Sequence, residues 1–328
     1  MATNSANGNR QSINIAIVGG GVAGAYCSWR LAQAGLAPTL FEMSHRIGGR
    51  LYSVVPPDAP DLVGELGGMR FLSVQKMVSS LVNYLGLPTA LFPMGGASNL
   101  ATLRGQVLTD ADFTSPSLIP YRLAASEQGL NPGQLLVKAI TTVIPNALSL
   151  TPQQWETVKR ETMWNGDNLY NWGLWNVLMS INSATNAPVL SSEAYALLYD
   201  GGGYESLVDN WNCAEAFEYL LIDFPSDAQY FKVSEGYQFL PETLSNAAVS
   251  LGSSVNLGCS FLSYTPNTVD GIQVVDFDVF NVATQSTVSY RANALILALP
   301  RRALEIVFDR SGVTSCLLYT SPSPRDRQ

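Results

Sequence analysis

A single histidine, His45, serves all 328 residues. A Ser-His-Asp triad or a histidine-based zinc site therefore has almost no imidazole to draw on, and His45 itself reads as a surface loop residue. The four cysteines, Cys27, Cys213, Cys259 and Cys316, stand far apart with no Cys-x-x-Cys spacing. They read as ordinary reduced thiols rather than a disulfide framework or metal cluster, which points to a cytoplasmic setting. Charge is scarce as well: 13% of residues are charged, and the balance is −8 with an isoelectric point of about 4.7. A polyanion would be repelled, and no basic run overcomes this, so a nucleic-acid partner is excluded. Hydrophobic residues make up 47% of the chain and the mean hydropathy is +0.12. Even so, no stretch reaches the ~20 uninterrupted apolar residues of a membrane span. The polar, Asn-rich Met1–Ser12 has none of the features of a signal peptide.

What is present is an α/β pattern without internal repeats. Ile13–Val18 is a β-branched apolar run, as expected of a buried parallel strand. Glycines follow, Ala23–Ala34 reads as a helix stopped by Gly35, and Pro38–Glu42 as a second strand, together one βαβ unit. Apolar residues at helical spacing run from Ser73 to Leu85. Residues 110–225 read as mostly helical, with Thr151-Pro a helix start. The aromatics Tyr170, Trp172, Trp175, Tyr204 and Trp211 are expected to pack a core rather than line a substrate path. Alternation returns in Phe231–Val233, Ser254–Leu257, Ser260–Tyr264, Ile272–Phe280 and Thr287–Arg291, the last four suggesting a small antiparallel meander. Leu240–Leu251 reads as a helix and Ala294–Leu299 as another central parallel strand. From Ser311 the pattern collapses into Ser, Thr, Pro and Arg.

The chemistry concentrates in the first 71 residues. Gly19-Gly-Gly21-Val22-Ala23-Gly24 is a G-x-G-x-x-G between a strand and a helix, so the turn can be tight and its backbone can approach a pyrophosphate at a helix N-terminus. Glu42 ends the next strand 18 residues after Gly24, near the spacing of a ribose-binding acid. An acid there favours a free 2′-hydroxyl, so FAD or NAD over NADP. Arg46-Ile-Gly48-Gly49-Arg50 adds two glycines for close approach and a guanidinium that can neutralise phosphate.

The acid, short linker and R-x-G-G-R resemble the flavin-containing amine oxidase superfamily, in which the last arginine meets the FAD pyrophosphate. Gly67-Gly68-Met69-Arg70-Phe71 resembles the L-amino-acid oxidase branch and the related tryptophan monooxygenases, in which this segment passes the flavin and its arginine holds the substrate carboxylate. Glu235–Pro241, Val255 and Ala294–Arg301 resemble the second FAD-binding stretch. The resemblance implies FAD contacts at Gly19, Gly21, Val22, Ala23, Gly24, Glu42, Met43, Gly48, Gly49, Arg50, Gly67, Gly68, Met69, Arg70 and Val255, with Arg70 also binding substrate. It implies a discontinuous Rossmann-like FAD domain, residues 13–72 and 228–308, around a substrate-binding and helical region at 73–227. A tail at 309–328 is expected to be disordered or non-native.

The implied reaction is FAD-dependent oxidative deamination of an L-amino acid to a keto acid, with O2 as acceptor and release of ammonia and H2O2. No residue stands out as a proton acceptor for the substrate amine. Family members continue well beyond this point, with a lysine near the flavin and a third FAD segment. The chain is accordingly expected to be C-terminally truncated, to bind FAD poorly and to turn over little, if at all, and Cys316 is not equated with a flavin-tethering cysteine. A monoamine or polyamine oxidase, an amino-acid 2-monooxygenase, and a non-catalytic nucleotide-binding protein remain alternatives. A homodimer is compatible with the sequence.

Overall fold

The computed structural model describes residues 10–93, 96, 99–202, 211–223 and 229–313. They gather into two compact units, one of residues 10–92 and 229–313 and one of residues 93–223.

The first unit is built on a six-stranded sheet. Its strand order is Ser254–Asn256, Thr39–Phe41 (β2), Gln11–Val18 (β1), Ser286–Leu297, Ile272–Asn281 and Cys259–Val269. The first four strands run parallel and the last two antiparallel. Ala16, Ile17 and Val18 of β1 are buried regardless of the face they point to, which is why the run is continuously apolar rather than alternating. Ile17 and Leu40 pack against Ala25, Trp29 and Ala32 of the helix Val22–Gln33 (α1) and against Leu244 and Ala248 of the helix Phe239–Ser250. Ala16, Val18 and Phe41 belong to a separate cluster with Phe277, Val279 and Val307. Burying each large side chain in these layers contributes about 1.5–3 kcal/mol. Where the sheet turns antiparallel, the largely buried Asp276 accepts two hydrogen bonds from Arg291, at 2.7 and 2.9 Å, and one from Asn267 at 2.9 Å. The Arg291 guanidinium, with lesser help from Asn267 and Arg10, holds the Asp276 carboxyl below its usual range despite burial.

Several expectations need correction. Thr287–Arg291 and Ala294–Leu299 are one strand, Ser286–Leu297. Its first half alternates because it pairs with Ile272–Asn281, and its second half is apolar because it lies beside β1. Ser254–Asn256 is not part of the meander but a parallel edge strand on β2. Residues 73–92 belong to the first unit rather than to the helical region: Thr89–Leu91 and Phe71–Leu72 flank Tyr230–Val233 in a three-stranded sheet. The helix between them, Lys76–Tyr84, buries Val82 but leaves Met77 exposed, as is Val74 in the turn before it. Asp309–Ser311, assigned to the tail, continue the helix Arg301–Ser311, which Gly312 ends in a left-handed cap. Cys316 and the rest of the tail lie outside the described residues, as does Tyr204.

The second unit is less helical than its composition suggests. Helices Pro132–Val143, Pro152–Glu161, Leu174–Leu178, Ser192–Gly201 and Cys213–Asp223 alternate with the hairpins Leu100–Thr109, Met163–Asn168 and Ile181–Pro188. Thr151 caps its helix through a capping box with Gln154, and proline occupies the first turn. Tyr170, Trp172 and Trp211 pack on the core of this unit, while Trp175 is exposed and stacks on Tyr195. Lys159 is buried among Glu156, Glu215 and Glu218 at 2.9, 3.2 and 2.7 Å. Burial opposes its charge, but the three carboxylates outweigh it and raise its pKa. Among the described residues no helix is long and apolar enough to cross a membrane.

Candidate functional site

The motifs separated in sequence are contiguous in the first unit. β1 ends at Val18, and the Gly19 N–H donates to the Phe41 carbonyl (2.8 Å), which pins the turn between the two parallel strands. α1 starts at Val22 with Gly21 as its cap, so no side chain of the cap residue bonds the first N–H groups of the helix. Gly24 is fixed by close packing: a Cβ there would lie 1.8 Å from the Gly19 carbonyl oxygen. Gly21 differs, since a Cβ would meet only Gly49 Cα, at 3.8 Å. The protein has no packing reason for glycine at 21, whereas an approaching ligand would supply one.

Glu42 continues from β2. Its carboxylate accepts from the Gly20 N–H at 2.6 Å and the Ser44 N–H at 2.8 Å, and its own N–H donates to Asn256. A carboxylate has about four acceptor sites, so these two bonds leave capacity for a ribose hydroxyl. Val255, half-buried in the neighbouring edge strand, is in register with Leu40. Met43 is 66% exposed beside Glu42.

The Gly48–Arg50 segment bridges onto the glycine turn. Gly48 donates to the Gly20 carbonyl at 2.9 Å, and Gly21 and Gly48 form an isolated parallel bridge. The Arg50 side chain is exposed and makes no hydrogen bond or ion pair with the described residues. The N–H groups of Ala23, Gly24, Gly49 and Arg50 likewise meet no protein acceptor among the described residues. Unpartnered N–H donors at a helix N-terminus, beside an uncommitted guanidinium, are the donor set a pyrophosphate requires. The residues present therefore fit a dinucleotide.

Gly67–Arg70 is held against that segment in turn. Gly68 donates to the Arg50 carbonyl at 3.1 Å and Leu66 to the Tyr52 carbonyl at 2.7 Å. A Cβ on Gly67 would fall 1.9 Å from Arg50 O, so only glycine permits the approach. Gly68 and Met69 are exposed. Arg70 then lies with its guanidinium carbon 4.9 Å from the Tyr230 ring and 5.9 Å from that of Phe92. Pairing of Tyr230 with Leu72 brings that aromatic face to it. Glu65, the acid nearest Arg70 in sequence, has both oxygens engaged, by Tyr237 N–H and Ser53 Oγ, each at 2.7 Å.

Sequence reasoning missed the supports. Ser53, Glu65 and Gln238 tie the stretch at 235–241 to this region, with Gln238 accepting from Ser53 N–H and donating to Ser53 Oγ. Tyr237 packs beside Gly68 and is buried, which pushes its pKa up to about 12. The fixed spacing from 46 to 50 was legible and the resemblance assigned Arg50 to the phosphate, but nothing in the pattern gave Arg46 a role.

The family model for flavin-containing amine oxidoreductase matches residues 22–315. Aplysianin-A of Aplysia kurodai is 39% identical over 129 residues, 38% of this chain and 23% of that protein. Achacin of Lissachatina fulica is 27% identical over 308 residues, 90% of this chain and 55% of achacin. An L-amino-acid oxidase of Mus musculus is 27% identical over 137 residues, covering 42% of this chain and 22% of its own length. The chain thus spans about half, or less, of the curated relatives it matches. Among solved structures, putrescine oxidase bound to putrescine aligns with a TM-score of 0.52 at 19% identity, over 91% of this chain and 60% of that one. That likeness is one of fold, and it agrees with the mixed α/β sheet described above. With the family match extending over most of its length, the chain belongs to the FAD-dependent, flavin-containing amine oxidoreductase family.

Proposed function

We propose that the unit of residues 10–92 and 229–313 binds FAD in the site just described, and that the protein oxidises an L-amino acid whose α-carboxylate is held by Arg70. The observation that carries this reading is the unbroken run of backbone contacts from Gly19–Gly24 through Gly48–Arg50 to Gly67–Gly68, ending on an arginine between aromatic rings. On this reading Glu42 receives the ribose, with Met43 and Val255 at the adenine end. Ala23, Gly24, Gly49 and Arg50 hold the pyrophosphate, and Gly67–Met69 follow the ring system. FAD, when bound, would supply the two-electron oxidation of the amine-bearing carbon, with O2 as final acceptor reduced to H2O2; water then hydrolyses the imino acid to the keto acid and ammonia.

The chemistry of a guanidinium supports this role for Arg70. A guanidinium meets a carboxylate through two parallel hydrogen bonds, which fixes the orientation of the carbon next to it. A simple amine has no group to take those bonds and gains nothing from the arginine. The match to a protein named L-amino-acid oxidase supports the amino-acid substrate.

Peroxide release from a panel of L-amino acids and primary amines tests the proposal. Arg70→Met is expected to lower kcat/KM for L-amino acids about 100-fold, the equivalent of roughly 3 kcal/mol, with little effect on any amine. Turnover of amines alone, unchanged in Arg70→Met, contradicts the amino-acid reading.

A further inference from the structure

Loops that receive phosphate must present N–H groups and turn their carbonyl oxygens elsewhere, because an oxygen facing a phosphate repels it. Every carbonyl from Gly48 to Leu51 is turned to a protein donor. Gly48 O accepts from Leu51 N–H at 3.0 Å, and Arg50 O from Gly68 N–H at 3.1 Å. The other two are taken by one side chain: Arg46 donates Nη2 to Gly49 O at 2.8 Å and Nη1 to Leu51 O at 2.9 Å. The guanidinium is held in that fork by the Tyr52 ring, whose centroid is 4.1 Å away. It passes so close to Gly48 that a Cβ there would sit 2.5 Å from Nη1. The first glycine of the segment thus makes room for the arginine two residues before it.

We infer that Arg46 is a positioning residue for FAD. It grips the carbonyls on either side of Arg50 and so keeps the Gly49 and Arg50 N–H groups and the Arg50 side chain available to the pyrophosphate. The inference rests on the FAD site proposed above. Arg46 and Arg50 have different tasks: Arg50 supplies charge to the ligand, and Arg46 supplies geometry to the loop. Lysine cannot do the second, since an ammonium has neither the planar fork nor the stacking face.

The test is FAD titration of the full chain, followed by quenching of flavin fluorescence at several salt concentrations. The proteins are the wild type, Arg46→Lys, Arg46→Met, Arg50→Met, Tyr52→Phe and Tyr52→Leu, with circular dichroism as a check on folding. Arg46→Lys and Arg46→Met are each expected to weaken FAD binding about tenfold while keeping the wild-type salt dependence. Arg50→Met is expected to weaken binding and flatten the salt dependence, because it removes a direct ionic contact. Tyr52→Phe keeps wild-type affinity and Tyr52→Leu weakens it, an arm that holds even where an Arg46 variant fails to fold. Wild-type affinity in Arg46→Lys overturns the inference, as does a salt dependence in Arg46→Met as flat as that of Arg50→Met. If Arg50→Met leaves FAD affinity untouched, it is the underlying FAD site that fails.

Discussion

Two alanine substitutions in the glycine turn separate the needs of the fold from those of the ligand. At Gly24 a methyl would lie 1.8 Å from Gly19 O and 3.4 Å from Ala298 Cβ. That is about 1.6 Å short of an ordinary contact with rigid backbone, so the start of α1 must move off β1. Overpacking of this kind costs about 2–4 kcal/mol. For a unit of this size it lowers Tm by roughly 5–15 °C. At Gly21 the nearest atom to a methyl is Gly49 Cα, at 3.8 Å, and the backbone is extended. Gly21→Ala is therefore expected to melt within about 2 °C of the wild type, since the cap change is worth only tenths of a kcal/mol. Its methyl instead occupies the approach of the pyrophosphate, at a loss of one or two charge-assisted N–H bonds, about 3 kcal/mol or roughly 100-fold in FAD affinity. Melting without cofactor and fluorescence titration with FAD read the two effects independently. The reasoning is refuted if Gly21→Ala binds FAD within twofold of wild type, or if its affinity falls only in step with its Tm.

The scaffold carries further predictions. Asp276→Asn breaks the paired contact with Arg291 in a largely buried setting and is expected to cost about 2–3 kcal/mol in denaturant unfolding. Because Asp276 is held below its unfolded value, its ion pair stabilises the fold above about pH 4 and is lost as pH falls through the folded pKa. Acid unfolding of Asp276→Asn should accordingly be less steep below pH 4 than that of the wild type, and parallel acid curves would contradict this. In the second unit, Lys159→Met leaves Glu215 and Glu218 facing each other without their cation. A loss of about 3 kcal/mol is expected in urea, with no change in FAD affinity; a stable variant would show that the cluster is solvated.

The glycine turn, Glu42 and Arg50 were legible because each answers a local requirement of the backbone or of a phosphate, and such requirements fix residue type and spacing together. The juxtaposition of Gly67 with Arg50 was not, because it is set by tertiary contacts that leave no period in the chain. Ser286–Leu297 was read as two strands because its halves have different neighbours, and burial pattern reports neighbours as much as secondary structure. The hairpin at 163–168 could have been found. Asn165-Gly166 has positive φ at both residues, 50° and 89°, the backbone that Asn-Gly favours in a two-residue turn. The composition of the surrounding helices concealed it. Arg46 carried no signal beyond its place in the motif, since its partners are backbone carbonyls, and any sequence supplies those.

The central claim is that this chain builds an FAD site from its glycine turn, Glu42 and the Gly48–Arg50 segment. Titration of the purified 328-residue chain with FAD, FMN and NAD, read by fluorescence and by absorbance near ~450 nm, tests it most directly. The account predicts saturable binding of FAD at one equivalent, weaker binding of FMN and NAD, and weakened FAD binding in Arg50→Met. A folded chain that leaves FAD free, or that binds it equally well without Arg50, contradicts the account.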